Sequence, residues 1–90
     1  MVWFGLAMNT ETTLEELEQI GTIRVLFHSG VAREMREQAG ASQGETAAIA
    51  GVHFTTISKI ETGTRSPRPE LALKLAAIYS TYADVATRVS

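Results

Sequence analysis

Ser42-Gln43-Gly44-Glu45, followed at Gly51 by a helix stop and within about three residues by a new apolar run, constrains this chain more than any other stretch. The Ser42 hydroxyl can bond first-turn amides while Glu45 reaches back to the cap, so the four residues are a capping box that opens a helix. That helix runs to Ala50, where Gly51 ends it. The next helix, from His53 or Phe54 to Glu61, turns Ile57 and Ile60 inward at a spacing that matches one helical face. The outcome is two short helices joined by a glycine-bearing turn.

The remainder of the chain is helical as well. No stretch alternates apolar and polar residues between turn residues, whereas caps and a 3.6-residue period recur, and the fold class is therefore all-α. Thr12 or Thr13 can cap a short amphipathic helix with Leu14, Leu17 and Ile20 on one face, ending or kinking near Gly21. Glu15, Glu16 and Glu18 stand in its first turns, where carboxylates suit the helix dipole. Thr22 to Phe27 is apolar and compatible with a continuation. Val31 to Ala39 places Val31, Met35 and Ala39 on one face, and Gly40 stops it. Thr62 to Arg68 is a loop, Pro69 suits the first position of a helix to Tyr79, and Thr81 with Asp84 suggests a further capping box. Beyond it, Tyr82, Val85, Ala86 and Val89 form a second apolar stripe.

With 90 residues there is room for one compact domain, and an apolar fraction of 44% with 20% charge indicates a folded chain. The absence of cysteine excludes disulfides and thiolate metal sites, and His28 and His53 lack the further ligands of a zinc site. The opening MVWFGLAM is too short to span a bilayer and lacks a basic flank and a cleavage pattern, so a cytoplasmic protein is expected, with Met8 an alternative start. No nucleophile, base and orienter, no phosphate loop and no metal cluster point to an enzyme, and no cofactor is expected. The net charge of −2 is unevenly spread: residues 1–30 carry −3, residues 31–50 carry −1, and residues 51–90 carry +2. The basic half permits phosphate contact.

The run SQGETAAIAGVHFTTISKIETGTRSPRPELALKLAAIY resembles the Cro and phage-repressor type helix-turn-helix family, also called the Xre family, over roughly residues 31–80. Ser42-Gln43, Ala47, Gly51-Val52, Thr56 to Glu61, Gly63 and Pro67 carry the likeness. It implies a five-helix lambda-repressor-like domain over residues 29–90, preceded by an N-terminal extension, residues 1–28, with one additional short helix. Ala47 and Gly51 are expected to be small because the two helices approach closely there, and Arg36 and Glu61 match a structural pair.

The resemblance also implies a transcriptional regulator, a repressor by analogy, that binds a double-stranded DNA operator. Positions matching base-contacting residues are Phe54, Thr55 and Lys59, with His53, Thr56 and Ser58 nearby. Ser42, Gln43, Thr64, Arg65 and Arg68 match the phosphate-contacting positions. The chain departs from the family pattern at Ala41, Thr46, Ile49 and Phe54. A homodimer through the N-terminal or the C-terminal stripe is one expectation, packing of each stripe on the core the other; no small-molecule effector is expected. The rival reading is an antitoxin-like or adaptor-like module that keeps the scaffold to hold another protein, which an exposed Phe54 and Ile49 would favour.

Overall fold

The computed structural model describes residues 13–89, which form five helices: α1 Leu14–Ser29, α2 Val31–Gln38, α3 Gln43–Ala50, α4 Phe54–Glu61 and α5 Pro69–Val89. No strand occurs among the described residues. MVWFGLAM, the alternative start Met8 and the alternative cap Thr12 lie outside them.

Capping residues fix where four of the helices begin. Thr13 and Glu16 exchange hydrogen bonds of 3.0 Å at the start of α1, and Ser42 and Glu45 exchange bonds of 3.0 and 2.8 Å at the start of α3. Gly30 both ends α1 and begins α2, and His53 caps α4. The ends of α2, α3 and α4 repeat one device. At α3 the Val52 amide donates to Ala47 O at 3.0 Å and the Gly51 amide to Ala48 O at 3.3 Å, and the same pattern recurs around Gly40 and Gly63.

Gly51 has φ 77°, and a Cβ built on it would meet nothing within 4 Å. The expected close helix approach is therefore not the reason for this glycine; the left-handed backbone of the turn is. Ala47, in contrast, is buried where α3 meets the core.

Two helices are longer than the sequence suggests. α1 runs through Gly21, because glycine costs a helix only about 1 kcal/mol and the buried Ile20 and Ile23 on either side anchor both halves. The short helix and the apolar stretch after it are thus one element of 16 residues. α5 likewise continues past Tyr79. No Gly or Pro interrupts residues 70–89, Tyr79 and Tyr82 extend one buried stripe, and the Thr81 hydroxyl donates to Ala77 O at 3.1 Å instead of capping a new helix.

The core takes residues from every helix: Ile20, Ile23 and Phe27 from α1, Ala32 from α2, Ala47 and Ala50 from α3, Ile57 and Ile60 from α4, and Ala72, Leu75, Tyr79 and Tyr82 from α5. No seam separates α1 from the four helices after it. Thr46, one of the departures from the family pattern, is fully buried; its hydroxyl donates to Ser42 O at 3.0 Å and shares a 2.7 Å hydrogen bond with the Tyr82 hydroxyl. A small polar side chain there ties α3 to α5.

The two buried tyrosines should respond oppositely to loss of their hydroxyls. Tyr79 packs edge-on against Phe27 and Tyr82, each with ring centroids 5.0 Å away, and its buried hydroxyl is within hydrogen-bond distance and geometry of no partner among the described residues. Burial, reinforced by the negative charge of Glu61, pushes its ionisation above the ordinary value of 10.0. Tyr79→Phe should leave stability unchanged or raise it by up to about 1 kcal/mol, whereas Tyr82→Phe should cost about 1 kcal/mol. Thermal melts of both variants check the pair of signs. Equal losses would contradict the hydrogen-bonding described for them.

Candidate nucleic-acid interface

α4 is held from below and open from above. Ile57 and Ile60 are buried, and at 100° per residue the side chains opposite them, Phe54, Thr55, Ser58 and Lys59, form one contiguous strip. Phe54, Thr55 and Lys59 are exposed and Ser58 is half-buried. Thr56 lies half-buried at the flank of the strip.

His53 stands at the head of the strip. Its Nδ1 accepts from the Thr55 amide at 3.3 Å and lies 3.0 Å from the Thr55 hydroxyl, which leaves Nε2 as the ring edge turned away from the helix. Its ring also lies 5.0 Å from that of Phe54, so the first turn of α4 is ordered by its own side chains.

The C-terminal end of α4 is fixed by a buried ion pair. Arg36 Nε and Nη2 donate to the two Glu61 carboxylate oxygens at 2.6 and 3.0 Å, and Arg36 Nη1 donates to Ala41 O at 2.9 Å. Gln43 Nε2 adds a 2.9 Å bond to Glu61 Oε1. Burial alone would raise the Glu61 carboxyl, but the bonds from Arg36 and Gln43 outweigh it and hold the group below its ordinary 4.5. The bond from Glu61 raises Arg36 despite its burial. The pair joins α2, the start of α3 and the end of α4, the structural role its sequence match implies.

The flanks of α4 carry the phosphate candidates. Ser42 and Gln43 open α3, whose first amides point outward from the helix end. The Ser42 oxygen serves as the cap and its hydroxyl proton remains to be donated, whereas Gln43 has one amide hydrogen committed to Glu61. On the other flank the amides of Thr64 and Arg65 both donate to Lys59 O, at 2.9 and 3.2 Å, folding the loop back onto α4.

The distribution of free charge is informative. Of the eight basic residues, Arg33, Arg36 and Arg88 are paired with carboxylates, at 3.2, 2.6 and 2.6 Å. Arg24 donates to a backbone carbonyl. Lys59, Arg65, Arg68 and Lys74 make no ion pair among the described residues. Three of these four stand on α4 or in the loop after it, so a protein of net charge −2 still offers a local cationic rim. Sequence reasoning missed Arg24: its partner lies 43 residues away, and nothing local to α1 signals it.

Two short helices meeting at a Schellman turn, the second with its outer strip free and its rim basic, define a helix-turn-helix DNA-binding domain. The helix-turn-helix family model, of the Xre type, matches residues 33–85, more than half of the chain, and the chain belongs to that family. It is a DNA-binding regulator of the Xre type. No curated protein and no solved structure is significantly similar to the chain. None of the described helices is long and apolar enough to cross a membrane.

Proposed function

We propose that this regulator is a Cro-like repressor of the phage, prophage or plasmid kind, occupying a double-stranded operator in the cytoplasm and blocking polymerase without chemistry, cofactor or small-molecule effector. The observation that carries the reading is the open strip of α4 between two phosphate-suited flanks. Lys59 donates to guanine O6 or N7, while Phe54 and the Thr55 methyl meet thymine methyl groups. His53, Thr56 and Ser58 stand beside them. Ser42, Gln43, Thr64, Arg65 and Arg68 hold the phosphates and set register without reading sequence.

Occupation of two half-sites one DNA turn apart, about 34 Å, requires a dimer. Leu14 and Leu17 on α1 are 85% and 56% exposed, whereas Tyr82 of the C-terminal stripe is buried and Val85 and Ala86 are half-buried. The α1 stripe is therefore the favoured pairing surface.

Lys59→Ala should cost about 1–3 kcal/mol at one base position and relax discrimination there, while Arg65→Ala should weaken all duplexes alike and flatten the salt slope. Selection from random duplex DNA, followed by titration of the enriched site at rising salt, is the direct test. A palindrome with a steep salt slope supports the reading. Folded protein that enriches no sequence sinks it and favours a protein-holding module of the antitoxin or adaptor kind, for which Ile49 and Phe54, 65% and 50% exposed, are the observation.

A further inference from the structure

We propose that Arg24, on α1 and outside the segment the family model covers, is a positioning residue that holds the loop from Thr62 to Arg68 in its DNA-binding shape. The inference rests on the reading that Arg65 and Arg68 contact phosphates. Arg24 Nε and Nη2 both donate to Pro67 O, at 3.2 and 2.7 Å, so one carbonyl sits in the fork of a half-buried guanidinium. A fork of fixed geometry donating two charged hydrogen bonds restrains its acceptor in direction as well as in distance.

The loop needs that restraint. Its first half is tied to α4 through the Thr64 and Arg65 amides, and its last residue is tied to α5 by the 2.7 Å bond from the Ala72 amide to Arg68 O. Ser66 and Pro67 lie between these anchors. Proline has no amide hydrogen, so the carbonyl that Arg24 holds is the only backbone group Pro67 can offer. Pro67 itself is buried, and beside it a partly open pocket of about 90 Å³, lined in part by Arg24, Phe27 and Ile60, lies between α1 and the loop. To that packing the two bonds from Arg24 add a constraint on the direction of the Pro67 carbonyl.

Arg24 makes no ion pair with a carboxylate among the described residues, so its two bonds go to the loop. It therefore fixes the segment between Arg65 and Arg68, and with it the spacing of two cations that must meet phosphates at set positions along a duplex. Through this bond α1 reaches the DNA face without touching the outer strip of α4.

The test compares the full chain with its Arg24→Gln and Arg24→Lys variants. Amide hydrogen exchange of Thr64 and Arg65 in the free protein reads the clamp. Affinity for the selected duplex and for an unrelated duplex reads its consequence. The expected result for Arg24→Gln is about tenfold faster exchange at both amides, unchanged exchange in α3, and about tenfold weaker binding of both duplexes. Arg24→Lys, with the charge but without the fork, should fall between the parent and Arg24→Gln in both readouts.

Unchanged loop exchange in Arg24→Gln would overturn the proposal. Full binding by Arg24→Lys with a loosened loop would overturn it too, because charge alone would then account for the effect. Arg65→Ala and Arg68→Ala tell its failure from that of the underlying reading. If both bind like the parent, the phosphate assignment is wrong, whatever the loop exchange shows.

Discussion

Glu61→Ala is expected to destabilise the folded domain by about 3–5 kcal/mol, the largest effect of any single change considered. The side chains of Arg36 and Glu61 are 9% and 2% exposed, and Glu61 accepts three hydrogen bonds, two from Arg36 and one from Gln43. Truncation leaves the Arg36 guanidinium charged, desolvated and facing no anion. Small domains hold only about 5–15 kcal/mol in total, so urea unfolding should show a midpoint shifted far toward zero denaturant. A loss under about 1 kcal/mol would mean that the pair is solvated and does not fix the end of α4.

The same group sets an acid limit. Because the Glu61 pKa is lowered in the folded state, its contribution is complete above the unfolded value near 4.5 and is lost as pH falls through the folded value. Stability of the parent should decline below about pH 4.5, and Glu61→Gln should show a flatter dependence over that range.

Ile57→Ala is expected to cost about 2–5 kcal/mol, with Ile57→Val at about 0.5–1.5 kcal/mol. Ile57 is completely buried on the inner face of α4 beside Ile60. Removing its side chain leaves a cavity between α4 and the core, and α4 and α3 are both too short to hold their places by helix propensity alone. DNA affinity measured where the variant remains folded should fall as well, because a loosened α4 no longer presents its strip in one orientation. Urea titration of the two variants checks the ratio. Equal small losses would place Ile57 in a site that relaxes freely and would weaken the case for a rigid α4.

The local signals proved informative where a few adjacent residues decide the outcome. Ser42 with Glu45, Gly51 and Gly63 set the ends of α3 and α4 through bonds spanning at most five residues. The inward Ile57 and Ile60 also followed from spacing. Signals of the same kind misled at Gly21 and Thr81. A glycine or a capping box weighs about 1 kcal/mol, less than burial of Ile20 with Ile23 or of Tyr79 with Tyr82.

The sequence by itself determined the helical class, the corner between α3 and α4 and the strip that α4 presents, because caps, glycines and apolar period act over neighbouring residues. Only the tertiary structure decided that α1 belongs to the core, that Thr46 meets Tyr82, and that Arg24 holds Pro67. The last two contacts join residues 36 and 43 positions apart, and their free energy exists only once the chain has brought them together.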